Sequence, residues 1–572
     1  MPSARLPLIS TVFVVAAVLV AAPMIGWPPV VRLPAVVVPG IVVAVLAWRP
    51  WQWDESRWNA IERWQPGTRA LTIAATALAL LLFWLVLTRF RSGEINAVDF
   101  SVYFDRPCYQ TIYRARPLFV ETADIPSFSN RSELAVHAFW AMFPICAPYA
   151  IYLTPYWLLI ISVVAVVGGA VHVFRVAREL EWGGVLAGST ALAFVLNDNM
   201  ARTVSGGFHP EVLYAWFVPW LLDAGIRRAR ASYAAAAFAC VLVKEDACLA
   251  LFASAICLVL ARGKKMTRGD RVVFLVLPTT IAVLNLAVFY RFVVPALTAG
   301  GRITYAAFWS NYGATPVQAA NGMVSHPWRV LREAVTSGFF PIVMSPHLFL
   351  PLIGWRWLAG ATPIAALYGA SANPQLRAFG IYYAIVLVPF LTLGASSGAA
   401  VLARRFVPHR RPRLWAAGIV VLGALLVGSG RAGYSLRPWR AEIAAVPEAV
   451  SLLASERVLL VQSGLYPHAG YSPRVQLLTP HSLRDPDNID AAILIAPDAG
   501  GYPFGREELH QLARFPVIRP LPAGLVAVRN RRDEVVDSHV EQPARIDAKE
   551  FRIRSRIPNS EFLIPNFYRC RP

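Results

Sequence analysis

Long apolar runs separated by short polar segments make up most of the chain as far as about residue 430. An apolar run of about 18 or more residues is long enough to cross a bilayer as an α-helix. The runs, several of them shorter than a full crossing, are 8–20, 33–48, 69–90, 155–175, 183–199, 211–226, 231–244, 246–261, 271–293, 340–357, 358–370, 379–402 and 414–430. This pattern predicts an all-α polytopic membrane protein with about 11 to 13 transmembrane helices.

The segments between and beyond these runs differ in composition. Four tryptophans stand among charged residues at 48–69, which is typical of a helix in the membrane interface. The polar segment 91–154 ends in an apolar stretch interrupted by prolines, which indicates an interfacial or re-entrant segment. The predicted divisions are 1–90 for N-terminal helices with the Trp-rich segment, 91–154 for a loop with interfacial helices, 155–432 for the helical core, 440–530 for a further domain and 531–572 for a tail.

The further domain has a different periodicity from the helical core. Short apolar runs at 458–461, 491–495 and 525–528 have the length of buried strands, and 507–515 has a helical pattern. These segments predict a small C-terminal α/β domain.

Composition agrees with a membrane protein. Hydrophobic residues make up 56% of the 572 residues and charged residues 15%, whereas a soluble domain carries about 25% charged residues. Soluble enzymes, disordered scaffolds and small disulfide-stapled secreted modules are therefore excluded.

Positive charge predicts the orientation. The net charge is +20, and basic residues cluster at 49–69, 175–178, 227–230, 262–271 and 404–413. Cytoplasmic loops of membrane proteins collect Lys and Arg, so we expect the N-terminus to lie in the cytoplasm. The 91–154 loop and the α/β domain are then extracytoplasmic. The same clusters account for the basic charge without a nucleic-acid partner.

Of the six cysteines, four lie in apolar runs and no metal-ligand spacing is present. A Cys108–Cys570 disulfide would require both residues to face an oxidising compartment.

Three consecutive ionisable residues, Lys244-Glu245-Asp246, interrupt an apolar stretch. Insertion of a charged side chain at the bilayer centre costs about 2.5–3.5 kcal/mol, so we expect charges within the membrane to have a structural or functional role. One interpretation is a tight polar turn between two helices, in which Lys244 neutralises a carboxylate. The other is a functional site facing a polar cavity.

A second motif, Phe208-His209-Pro210-Glu211, also allows two interpretations. Pro210 and Glu211 are typical of a helix start, which leaves His209 unexplained. Alternatively, His209 and Glu211 bind a phosphate, a sugar hydroxyl or a metal.

The loop 91–154 contributes Asp99, Asp105 and His137. An acidic residue just beyond a helix end suits a general base acting on a membrane-anchored substrate, although any such loop holds carboxylates. A single histidine at an interface is more often structural. In the predicted orientation Asp99 and His137 share the extracytoplasmic face with both motifs, so we expect them to converge.

The two motifs together resemble a family of predicted membrane proteins, the domain-of-unknown-function 2079 family. Phe208-His209-Pro210 followed by Lys244-Glu245-Asp246 carries the resemblance, together with Tyr382-Tyr383 before Pro389 and the stretch from Gln462 to His468. That family resembles a distant branch of the GT-C superfamily, multi-spanning glycosyltransferases that use polyprenyl-phosphate-linked sugars. The resemblance therefore implies a GT-C-like fold in a multi-pass protein of the cell membrane, as part of the cell envelope.

The resemblance also implies site roles. Asp99, with Asp105 in reserve, matches the acidic residue of the first extracytoplasmic loop, and Glu245 and Asp246 join them as catalytic candidates. His137, His209, Glu211 and Lys244 are candidates for substrate binding.

The implied reaction moves a sugar from a polyprenyl-phosphate-linked donor to a glycan or lipid acceptor. A divalent cation, Mg or Mn, would be held by Glu211, Glu245 and Asp246. Two other classes remain open: a transporter or lipid flippase that uses the Lys/Glu/Asp cluster, and a non-catalytic assembly or sensor protein.

Overall fold

The computed structural model describes residues 66–121, 131–262, 266–297, 308–377, 382–406, 411–431, 436–499 and 504–530. The predicted crossings at 8–20 and 33–48, the four tryptophans of the Trp-rich segment, Cys570 and the tail lie outside the described residues.

Helices form most of the described chain, and many of them are apolar, as the sequence predicts. Those long and apolar enough to cross a membrane are Thr68–Arg91, Tyr156–Glu179, Arg268–Leu297 and Tyr382–Phe406. Shorter apolar helices are Gly183–Val195, Tyr214–Ile226, Arg230–Val243, Ala247–Arg262, Trp355–Gly369 and Pro412–Arg431. The all-α, multi-pass class is therefore confirmed.

The remaining helices are shorter and more polar, or adjoin the apolar ones. They are Arg106–Tyr113, Met142–Cys146, Asp198–Ser205, Pro316–Ser325, Pro327–Thr336, Phe339–Met344, Ala441–Leu452 and Arg506–Leu512.

One predicted crossing, 340–357, is wrong. The helix Phe339–Met344 ends after six residues, two short 3₁₀ turns follow, and a new helix occupies Trp355–Gly369. Pro346 and Pro351 stand in this interval, and proline supplies no backbone N–H for a continuing helix. The predicted run 358–370 is thus the body of Trp355–Gly369.

Two helices of the core approach each other closely. Gly169 of Tyr156–Glu179 faces Tyr214–Ile226, and a Cβ at Gly169 would overlap the carbonyl oxygen of Ala215. One buried carboxylate also joins this helix pair: Asp223 Oδ2 lies 2.8 Å from His172 Nδ1, and Arg227 donates to both Asp223 oxygens.

The loop after the first described helix is folded rather than extended. A π-helical segment, Val98–Asp105, leads directly into Arg106–Tyr113. Strands Phe119–Val120 and Arg131–Ser132 pair antiparallel. Cys108 forms a disulfide with Cys146, not with Cys570 as considered from the sequence; both partners lie in this loop, which brings them within reach.

The C-terminal α/β domain is confirmed. Its five-stranded sheet has the spatial order Val475–Leu477, Leu459–Val461, Ala492–Ile495, Val526–Arg529 and Val517–Pro520. The first three strands are parallel and the last two antiparallel to their neighbours. The helices Ala441–Leu452 and Arg506–Leu512 cover opposite faces.

This domain packs on the loop. Arg106 donates from its guanidinium to the carbonyl oxygens of Gly470, at 2.7 Å, and Val475, at 3.2 Å. The same guanidinium lies 4.2 Å from the ring centre of Tyr466. The sheet domain and the loop that carries Asp99 and Asp105 therefore form one packed unit.

Candidate active site

The segment Lys244-Glu245-Asp246 lies between the helices Arg230–Val243 and Ala247–Arg262, and Lys244 has an extended backbone. It is a turn, as one interpretation predicts. It is also buried, since Lys244 and Glu245 are only 4% and 7% exposed. Buried charges need partners, and these come from other parts of the chain.

Glu211 joins the two motifs. Its Oε1 accepts a hydrogen bond from Lys244 Nζ at 2.8 Å, and its Oε2 contacts His209 Nδ1. The His209 ring stacks on Tyr382 with a centroid distance of 3.3 Å, and Lys244 Nζ lies 4.9 Å from the ring centre of Tyr383. The chain segments 209–211, 244 and 382–383 thus meet at one point.

The two acidic residues of the turn face different partners. Glu245 Oε1 lies 2.8 Å from His137 Nδ1, and Glu245 Oε2 accepts the backbone N–H of Ala138 at 2.9 Å. Asp246 Oδ1 accepts from the Tyr214 hydroxyl at 2.9 Å. His137 therefore belongs to the same cluster as the two motifs.

Asp99 lies on the π-helical segment at the edge of this cluster. Its Oδ2 accepts from Asn96 Nδ2 at 3.1 Å, and its charge interacts with His209 and Glu211. Burial raises the pKa of the Asp99 carboxyl, while His209 and the Asn96 hydrogen bond act in the opposite direction. A half-buried carboxylate with a raised pKa is suited to accept a proton.

Asp105 has a different environment. Its Oδ1 accepts from the hydroxyls of Tyr149, at 2.7 Å, and Tyr471, at 2.8 Å. The side chain is 2% exposed, and burial raises the pKa of this carboxyl to about 6 despite both hydrogen bonds. The structure does not bring Asp105 into the hydrogen bonds described for the cluster; it joins the loop to the α/β domain.

One acidic residue of the cluster was missed in the sequence. Glu133 follows the strand Arg131–Ser132 directly and is 4% exposed, and its charge interacts with Glu211. Burial, and to a smaller extent Glu211, raises the pKa of Glu133 to about 8. The one available signal was an acidic residue directly before the apolar residues 134–136. Tyr214 and Tyr382 were likewise not predicted as site residues.

The arrangement does not fit a cation held jointly by the three candidate ligands. Both oxygens of Glu211 and of Glu245 have protein partners, and Asp246 accepts from Tyr214. Within the described part of the chain, no group of three or more His, Cys, Asp or Glu side chains is arranged to hold a metal ion. The Mg or Mn ion stays a prediction.

The fold and this buried polar cluster define a multi-pass membrane protein with a candidate site where several helices end. The chain belongs to the family described as predicted membrane protein (DUF2079), whose model matches residues 116–468, more than half of the 572 residues.

Solved structures with a similar course of the chain include two of ArnT from Cupriavidus metallidurans. The one bound to undecaprenyl phosphate has a TM-score of 0.47 and 11% identity, and covers 82% of this chain and 99% of its own. The apo structure has a TM-score of 0.42 and 12% identity, and covers 80% and 97%. The arabinofuranosyltransferase AftD from Mycobacteria has a TM-score of 0.39 and 15% identity, and covers 82% and 40%. No curated protein matches the sequence.

Proposed function

We propose that this protein is an integral membrane glycosyltransferase of GT-C type, which moves a sugar from a polyprenyl-phosphate-linked donor to a glycan or lipid acceptor. The observation that carries the proposal is the buried cluster of Asp99, Glu211, Lys244 and Glu245 with His137 and His209. Carboxylates with a lysine and histidines suit a reaction in which one group gains a proton and another leaves with negative charge.

The proposed reaction is a single displacement. The acceptor hydroxyl oxygen bonds to the anomeric carbon of the sugar, and its proton passes to the Asp99 carboxylate. The bond from that carbon to the donor phosphate oxygen breaks, and its electron pair leaves with polyprenyl phosphate. Lys244 and His209 offset the charge on this phosphate. One displacement inverts the anomeric centre.

Asp99 is the better candidate base than Asp105. Asp99 is half-buried, and its charge interacts with His209 and Glu211, so it keeps some exposed surface beside the cluster. Asp105 is buried and already accepts two tyrosine hydroxyls on one oxygen. Binding a substrate there would require those hydrogen bonds to break.

The proposed location of the site is the extracytoplasmic face, with the N-terminus in the cytoplasm. The Cys108–Cys146 disulfide lies in the loop that carries Asp99, and disulfides persist in oxidising compartments. Arg268, Arg404 and Arg405 lie at helix ends in the clusters assigned to the cytoplasm.

Turnover by the purified protein in liposomes tests this proposal. The donors are radiolabelled polyprenyl phosphates carrying glucose, galactose, mannose or arabinose. Membrane lipids and glycans serve as acceptors. We expect sugar transfer, or slow hydrolysis of one donor, together with release of polyprenyl phosphate. Movement of intact donor between leaflets without cleavage would contradict the proposal and would indicate a flippase.

A further inference from the structure

Glu133 is a buried carboxyl without a complete set of partners. It lies in the 3₁₀ turn Glu133–Ala135, four residues before His137, and is 4% exposed. Its Oε1 accepts no hydrogen bond from any residue that the structure describes. The negative charge of Glu211 acts on the Glu133 carboxyl and disfavours its ionised form. The fold therefore keeps an acidic group where burial and the charge of Glu211 both oppose its ionisation.

Such a group calls for an explanation. Nearly all buried polar atoms in folded proteins have a hydrogen-bond partner, and an exception costs free energy. The hydrogen bonds that join Glu133 to Leu118, Val136 and His137 all use its backbone and not its side chain. A ligand that enters the cluster would supply the missing partner.

The composition of the cluster indicates the kind of ligand group. The backbone N–H of His137, a member of the cluster, donates to the Glu133 carbonyl oxygen at 3.0 Å, and the negative charge of Glu211 acts on the Glu133 carboxyl. Another anionic group beside Glu133 would be repelled. A neutral hydroxyl both donates and accepts hydrogen bonds, so it suits a carboxyl in either protonation state.

We propose that Glu133 is a further substrate-contacting residue, whose carboxyl binds a hydroxyl of the transferred sugar. This assignment rests on the proposed glycosyltransferase function. It makes Glu133 a residue that selects and holds the sugar, whereas Asp99 acts on the acceptor hydroxyl.

Two substitutions at Glu133 test the assignment, with the donor that wild-type protein turns over. Glu133→Gln keeps a donor and an acceptor of the same size, so we expect its KM within about threefold of wild type. Glu133→Met keeps the volume and loses the polar atoms, so we expect KM for the donor to rise about tenfold, the ratio for one lost hydrogen bond. Since Met removes an unpaired buried group, its Tm should rise by a few degrees.

A matched control is Gln110→Met. Gln110 is 2% exposed and also has an unpartnered Oε1, but it lies on Arg106–Tyr113 and contacts no cluster residue in the hydrogen bonds described. This variant should gain stability with an unchanged KM. A purely structural role for Glu133 would give the same result in Glu133→Met.

The two proposals fail in different ways. An active wild-type protein with an unchanged KM in Glu133→Met overturns the Glu133 assignment alone. A higher KM in Glu133→Met with a lower Tm also contradicts it, because Glu133 would then support the fold. A wild-type protein that cleaves none of the donors overturns the proposed function and this assignment with it.

Discussion

Asp99 and Asp105 show how surroundings separate two identical side chains of one short segment. Both lie on Val98–Asp105, six residues apart. Asp99 stands beside the charged cluster, and Asp105 is held by Tyr149 and Tyr471. Because these partners belong to distant parts of the chain, the sequence could not choose between the two aspartates.

The environment of Asp105 predicts a pH dependence of stability. Its pKa rises from an ordinary value of 3.8 to about 6 on folding, so the folded state binds its proton more tightly. The contribution of Asp105 to the free energy of unfolding should therefore fall as pH rises from about 4 to about 6 and then level off. One pKa unit corresponds to about 1.4 kcal/mol, so the loss of stability from Asp105 is at most about 3 kcal/mol.

Thermal unfolding of wild type and Asp105→Asn in detergent, between pH 4.5 and 7.5, measures this effect. Asn keeps the oxygen that both tyrosines use and cannot titrate. The Tm of the variant should therefore fall less than that of wild type as the pH rises. Asp487→Asn, at an exposed position, should keep the wild-type profile. An identical profile in Asp105→Asn would contradict the account.

Several site residues could nevertheless be predicted from the sequence. Lys244-Glu245-Asp246 and His209 stand out because charge is costly in an apolar run, and the structure brings them together. Glu133 has no such contrast, since it lies in a polar loop. Its burial arises only when the loop folds over the cluster.

At the scale of elements, the core depends on close helix contacts. The helix pair Tyr156–Glu179 and Tyr214–Ile226 needs Gly169 at its contact, and Ser162 of the first helix donates to the carbonyl oxygen of Gly207 at 2.9 Å. This pair therefore positions the loop that contains His209.

Substitution of Gly169 tests this contact. Gly169→Ala forces a methyl group against the Ala215 carbonyl, so we expect a loss of about 1–3 kcal/mol of stability. Gly188 of Gly183–Val195 has open space around a Cβ, so Gly188→Ala should be neutral or gain up to about 1 kcal/mol through helix propensity. Equal Tm values for the two variants would contradict close packing at Gly169.

The elements themselves were predicted where hydrophobic pattern decides them. Thr68–Arg91 and Tyr156–Glu179 match their apolar runs closely. The prediction of a crossing at 340–357 was wrong because average hydrophobicity does not register the prolines that end a helix. The strands Val475–Leu477 and Val517–Pro520 were missed because a polar residue, Gln476 in one and Arg519 in the other, interrupts their few apolar residues.

At the scale of the molecule, the orientation predicts which surfaces face outward. Asp498 lies in the α/β domain with a side chain 87% exposed, and Arg268 is exposed in the cluster predicted to be cytoplasmic. With Cys248 and Cys570 replaced by Ser, Asp498→Cys in intact cells should react with a membrane-impermeant maleimide. Arg268→Cys should react only after permeabilisation. The reverse labelling pattern would show that the topology is inverted and that the site faces the cytoplasm.

The most direct test of the central claim is the rate of sugar transfer by Asp99→Asn beside wild type, at saturating donor and acceptor. A general base contributes about 10²- to 10⁴-fold, so we expect Asp99→Asn to lose at least 100-fold in kcat while its Tm stays near wild type. The exposed Asp487→Asn should keep the wild-type rate. A wild-type rate in Asp99→Asn would contradict the account, and a comparable loss in Asp105→Asn alone would transfer the role of base to Asp105.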